Sequence, residues 1–308
     1  MTLRLKLRLA ALASLPLVHP GIYDELFNGV AAYAAAPIAP PASDRITVTV
    51  SGEGPDVILI PGLASSGHVW DPTVAHIAPH HRVHVVQVAG FAGTPAGSNA
   101  SGPVFEPVVS AIHDYVVANH LQGAAVIGHS LGGTMAMRLA IAHPADAGKL
   151  LIVDALPYMG MMFGPQMTVA MVQPQAMMLR DQTVNGTQEA YAAAEPAQMA
   201  RLIKNDNAAA AAATAAAQAS DHRVVGQALY DDLVTDLRPD IARITIPVTM
   251  LYPWDEGSGA PQQVFDTLYT TAFAPLPHGK VERIDGSRHF IMIDQPEIFL
   301  QKVDAFLG

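Results

Sequence analysis

The pentapeptide Gly128-His129-Ser130-Leu131-Gly132 constrains this 308-residue chain more than any other stretch. It follows an apolar run, Ala124–Ile127, and precedes a stretch, Thr134–Ile141, whose Met135, Leu139 and Ala142 recur at helical spacing. A strand, a tight turn and a helix are therefore predicted, with a serine at the apex. The glycines have a steric reason. A turn this sharp strains the backbone of the apical residue and crowds its neighbours, and Gly128 and Gly132 bring no Cβ to collide. Ser130 Oγ is then presented at the C-terminal end of the strand. The backbone N–H of Leu131, at the helix N-terminus, can point at a developing oxyanion.

In this setting Gly128-His129-Ser130-Leu131-Gly132-Gly133 resembles the nucleophile elbow of the α/β-hydrolase family, and the resemblance runs from about Ile46 to Leu307. It implies an α/β fold: a mostly parallel central sheet flanked by helices, with an inserted helical cap. The chain can be read against that expectation. Ile46–Val50 alternates threonine with β-branched apolar residues, as an edge strand does. Val57–Ile60 is a continuous apolar run bounded by proline and glycine, the pattern of a buried parallel strand. In the resembled family the loop after this strand supplies a second oxyanion donor, which falls here on the backbone N–H of Leu63 in Pro61-Gly62-Leu63. The family often has histidine where this chain has Pro61, but the donor is a backbone group. Trp70 either walls the pocket or packs in the core. Val83–Val88 is a further strand, and the aspartate the family commonly carries in the next loop is replaced by Val88-Ala89. Phe105–His120 reads as a helix and Lys149–Asp154 as the strand after the elbow helix.

From Ala155 to Asp236 the alternation of strand and helix stops. Eight of the chain's 13 methionines fall between Met159 and Met199, and Ala208–Ala217 is almost wholly alanine behind a capping Asp206 or Asn207. Residues 155–236 are expected to form a helical lid between two halves of a hydrolase core, 46–154 and 237–308. The methionines, Met159 and Met162 among them, either shape an adaptable apolar pocket or fill the lid's own core. Pro247–Tyr252 and Lys280–Ile284 return to strand, and Pro261–Phe273 and Pro296–Leu307 to helix.

Ser130, Asp255 and His289 occur in the chain order nucleophile, acid, base of the resembled family, each just past a predicted strand. A parallel sheet brings such strand ends to one edge, so distant residues converge. His289 would take the serine proton on attack and return it to the leaving group, while the carboxylate fixes the imidazole tautomer. Asp154 also ends a strand and is the alternative acid, since some family members take it from there. His129, inside the elbow, is structural or lines the pocket. His80, His81 and His84 lack carboxylate partners at ligand spacing, so no metal is expected.

Composition narrows the function. With 14% charged and 50% hydrophobic residues the chain suits one globular domain with a large core. A formal net charge of −10 and no basic stripe argue against nucleic acid. The absence of cysteine excludes thiol catalysis, disulfides and cysteine metal sites. Residues 1–45 stand outside the catalytic pattern. Arg4, Lys6 and Arg8 precede the apolar run Leu9–Val18, with A-x-A sites near residues 32–36, as in an export signal, but Pro16, Asp24 and Glu25 interrupt that pattern. Both export and an amphipathic segment lying on the domain stay open, and a proline-rich linker, Pro37–Pro41, follows. No apolar run is long enough to span a bilayer. The expected activity is hydrolysis of small to medium hydrophobic carboxylic esters through an acyl-serine, without cofactor or metal. The same triad also serves amide, lactone or C–C hydrolysis and acyl transfer, and a non-catalytic ligand-binding member of the fold is a further reading.

Overall fold

The computed structural model describes residues 43–308. The signal-like segment and proline-rich linker read from the sequence lie outside them. Seven strands form one sheet in the order β1-β3-β2-β4-β5-β6-β7: β1 Ile46–Ser51, β2 Asp56–Ile60, β3 Arg82–Val88, β4 Ala124–His129, β5 Ala147–Val153, β6 Val248–Trp254 and β7 Gly279–Asp285. Only β1 runs antiparallel, on β3, and every other pairing is parallel. The apolar runs account for the order. In β4 every residue is buried, and in β2 Val57 to Ile60 are wholly so, as central strands covered on both faces must be. The two edges are polar in different ways. In β1, Thr47 and Thr49 face solvent. In β7, Lys280, Glu282, Arg283 and Asp285 line a strand with little apolar surface; Glu282 pairs with Lys280 at 2.7 Å and Lys302 at 2.6 Å. Such charges discourage edge-to-edge association.

Three helices cross between strands in the first half: α1 Asp71–Ile77, α2 Phe105–Ala118 and α3 Leu131–Ala142. Four more, α4 Val169–Val184, α5 Gln188–Leu202, α6 Ala208–Ala219 and α7 His222–Val234, lie between β5 and β6. Then come α8 Gln262–Phe273, the single turn α9 Ile291–Asp294 and α10 Pro296–Leu307. The alanine tract of α6 is a helix because alanine loses no side-chain entropy there, and Asn207 starts it by accepting from the N–H of Ala210 at 2.9 Å. No helix among the described residues is long and apolar enough to cross a membrane.

The α4–α7 insertion is stitched to the core by specific hydrogen bonds. Ser220 Oγ accepts from the N–H of Ala92 at 2.8 Å and donates to the carbonyl of Ala64 at 3.2 Å. Asp231 Oδ2 accepts from the N–H groups of Val104 and Phe105, at 2.6 and 3.1 Å, and so places an anion on the positive end of α2. Asp294 of α9 accepts from the N–H groups of Lys204, Asn205 and Arg288. Its methionines divide between the two expected roles. Met161 and Met199 are buried in the core, Met159 and Met162 border a cavity, and Met171 and Met178 are exposed.

Candidate active site

Ser130 has φ 53 and ψ −126, a strained conformation for a residue with a side chain. Its surroundings hold it there. The N–H of Ser130 donates to Val153 of β5 at 2.9 Å, and the N–H of Gly133 returns to the Ser130 carbonyl at 2.7 Å. A Cβ on Gly132 would lie 2.3 Å from the Ile60 carbonyl oxygen, and one on Gly128 would lie 2.4 Å from that of Gly132. Both glycines are therefore sterically required. Gly62 closes on the same point, its Cβ position being 3.0 Å from Ser130 Cβ, so the β2 loop carrying Leu63 abuts the elbow. Leu131 opens α3, so its N–H is among those a helix leaves without an intrahelical acceptor.

His289 lies in the loop between β7 and α9, beside a cavity of about 400 Å³ that Ser130, Asp154 and His289 all line. Its Nδ1 is 2.5 Å from Asp154 Oδ2. The other carboxylate oxygen of Asp154 accepts from the hydroxyl of Tyr269, a buried residue of α8 stacked on Tyr252 at 4.6 Å. A carboxylate only accepts, so Nδ1 carries the proton and Nε2 keeps the lone pair a base needs. Burial and the adjacent Asp154 charge both push the Tyr269 phenol well above its ordinary value, so it stays a donor. No hydrogen bond joins Ser130 Oγ to His289 here, and such bonds are commonly loose in resting enzymes and tighten around substrate.

The acid expected from the sequence, Asp255, does not meet His289. The strand register supplies the reason. Val153 of β5 pairs with Leu251 of β6, so Asp154 is level with Tyr252, whereas β6 continues to Trp254. Asp255 therefore stands three residues further along, about 10 Å at strand rise. There its oxygens are held by Ser258 at 3.1 Å, Lys204 at 3.3 Å and Arg288 at 3.5 Å. Burial pushes its carboxyl up, but the Ser258 hydroxyl and the two cations outweigh that and keep it below the ordinary value. β4 and β5 are neighbours with His129 opposite Val153, which sets Ser130 and Asp154 side by side at the sheet's C-terminal edge.

Two expected pocket residues lie elsewhere. Trp70 is wholly buried and stacks on Phe299 of α10 at 6.0 Å, because Trp70 and α10 meet in the core away from the cavity. His129 is buried behind the site: Nε2–H donates to the carbonyl of His289 at 3.0 Å, so it props the loop that carries the base. Burial first, then the neighbouring His289, push its pKa well below the ordinary value, which keeps it neutral. Met159 and Met162 do border the cavity, with Leu156 and Phe265.

Sequence reasoning passed over Asp232 of α7. It lines the same cavity, yet is only 5% exposed. Burial raises its carboxyl to about 7; the nearby Thr134 hydroxyl lowers it, Asp231 raises it and His289 lowers it. Its folded value lies above the unfolded one, so its stabilising contribution is complete at low pH. That contribution is lost as pH rises from about 4 through about 7. Urea unfolding of wild type and Asp232→Asn at pH about 5 and about 8 checks this. The asparagine variant should gain on wild type by on the order of 2 kcal/mol at the higher pH, and an unchanged difference would refute it.

Among the described residues one group has metal-ligand geometry, His113, His143 and Asp146. His143 caps the far end of α3 from Ser130, about 20 Å away by helical rise, so chemistry at Ser130 does not draw on it.

Comparison with known proteins agrees with this fold. A family model described as "Alpha/beta hydrolase family" matches residues 57–302. The pimeloyl-(acyl-carrier protein) methyl ester esterase of Vibrio cholerae is 27% identical over 267 residues, covering 83% of this chain and 96% of that protein. Its namesake from Vibrio campbellii is 36% identical over 106 residues, only 34% of this chain and 39% of that protein. An esterase structure from Exiguobacterium antarcticum superposes with a TM-score of 0.70 at 17% identity, over 85% of this chain and 95% of that one. With a parallel sheet, a strained serine elbow and a family match over most of its length, the chain belongs to the alpha/beta hydrolase family.

Proposed function

We propose that this protein is a serine hydrolase that cleaves carboxylic esters of small to medium hydrophobic substrates. The observation that carries the reading is the Asp154–His289 hydrogen bond of 2.5 Å at the rim of the cavity that Ser130 enters. Ser130 Oγ attacks the ester carbonyl while His289 Nε2 takes its proton, and Asp154 steadies the resulting imidazolium. The backbone N–H groups of Leu63 and Leu131 hold the oxyanion, each contributing roughly 3–4 kcal/mol of barrier lowering. His289 then protonates the departing alcohol. Water, deprotonated by the same imidazole, releases the acid from the acyl-serine. Residues 155–236 serve as the cap over this site, and their apolar lining, Leu156, Met159 and Met162, favours an apolar acyl or alcohol group. The esterase relatives support an ester as the bond cleaved.

The test is covalent. A fluorophosphonate probe should add its mass to the peptide containing Ser130, in a sample that also turns over p-nitrophenyl esters. A folded protein that neither labels there nor cleaves any ester in a chain-length series would overturn the reading.

A further inference from the structure

The α7 helix brings two adjacent aspartates to the core, and their environments differ. Asp231 is fully employed: Oδ2 accepts from two N–H groups of α2, and Oδ1 accepts from Gln227 at 2.7 Å. Asp232 is buried to 5% exposure and its Oδ1 has no partner at all. Thr134, one helical turn after Ser130 on α3, borders the same cavity as Asp232. Ser130, Thr134, Asp232 and His289 border one cavity whose other walls include Ala155, Leu156 and Phe265.

A buried acceptor left unmade costs about 1–3 kcal/mol, and burying a carboxyl at all is unfavourable. Packing does not require it, since an apolar residue of similar size would continue the apolar wall. Asp232 borders the cavity that Ser130 and His289 also line, so a small shift of its carboxyl would bring the unpaired oxygen to a substrate held there.

Building on the esterase reading, we infer that Asp232 is a specificity residue: it accepts a hydrogen bond from a hydroxyl or amide N–H carried by an otherwise apolar ester, a few bonds from the scissile carbonyl. The substrate would then be a hydroxylated or amide-bearing ester, and its plain hydrocarbon analogue would be the poorer one. A site built to receive a donor discriminates strongly, because the analogue leaves the buried acceptor unpaired.

Matched pairs test this in the full-length protein. One pair is a methyl ester whose acyl chain ends in hydroxyl or in methyl; the other is hydroxypropyl butyrate against butyl butyrate. In at least one pair, wild type should favour the hydroxyl member by about tenfold to a hundredfold in kcat/KM. Asp232→Ala should lose that preference, and Asp232→Asn, which keeps an acceptor oxygen and the side-chain shape, should retain part of it. Equal rates within both wild-type pairs, or a preference that survives in both variants, would overturn the inference. So would a loss in kcat shared equally by both members of each pair, which would mean that Asp232 acts through His289. If no ester is turned over, the esterase reading fails separately. Calorimetric binding of the corresponding ketones, with methylene in place of the ester oxygen, to Ser130→Ala still reads the hydroxyl preference: its presence supports the role of Asp232 and its absence refutes it.

Discussion

Asp154→Asn should reduce kcat on a p-nitrophenyl ester by about ten-thousandfold, while Asp255→Asn should stay within about tenfold of wild type. The asymmetry follows from proton placement. Asparagine at 154 can offer an N–H to His289 Nδ1, which drives the ring proton onto Nε2 and removes the lone pair that must accept the serine proton. The Tyr269 hydroxyl, still held to residue 154, would lock that wrong tautomer in place. Asp255 touches Ser258, Lys204 and Arg288 instead, so neutralising it loosens a rim network without altering the imidazole. Steady-state kinetics on both variants, with thermal melting to establish that each is folded, decides the matter. If Asp255→Asn loses the larger factor, the assignment of the acid is wrong.

On the proposed mechanism Ser130→Ala should lose on the order of a millionfold in kcat, with KM for an aryl ester changed little, because the hydroxyl would be the bond-forming group and not a binding contact. What survives should come from the backbone donors. The N–H groups of Leu63 and Leu131 belong to a loop and a helix end that a side-chain truncation leaves in place. Alanine tolerates φ 53 about as poorly as serine does, so stability should hardly change. Single-turnover assays and the probe's failure to label residue 130 read the result. Undiminished turnover by a pure Ser130→Ala sample would place the nucleophile elsewhere.

Much of the framework was legible because buried parallel strands are rich in apolar, β-branched residues, in an unbroken run at Val57–Ile60. Val57–Ile60, Val83–Val88 and the elbow fall in β2, β3 and at the β4–α3 turn, and Pro296–Leu307 is α10 residue for residue. The carboxylate that contacts His289 was not singled out by such signals. The strand expected over Pro247–Tyr252 runs on to Trp254, with β7 still paired beside it. Beyond Leu251, β5 has stopped pairing with β6, so Pro253 lies at a local edge where its missing N–H costs little. A strand that runs two residues further carries its terminal carboxylate several ångströms along, away from His289. Asp232 and Tyr269 gave no signal because each sits within a helix, and what they can do depends on which helix face meets the cavity.

The contact between Asp154, at the end of β5, and His289 has a consequence for how this protein can diversify. The turn after β6 lends Gly257, Ser258 and Gly259 to the cavity wall but no group to the Asp154–His289 couple. Lengthening, shortening or randomising that turn can therefore reshape what the cavity admits while the reacting groups keep their places, which makes it a natural target for directed evolution of selectivity.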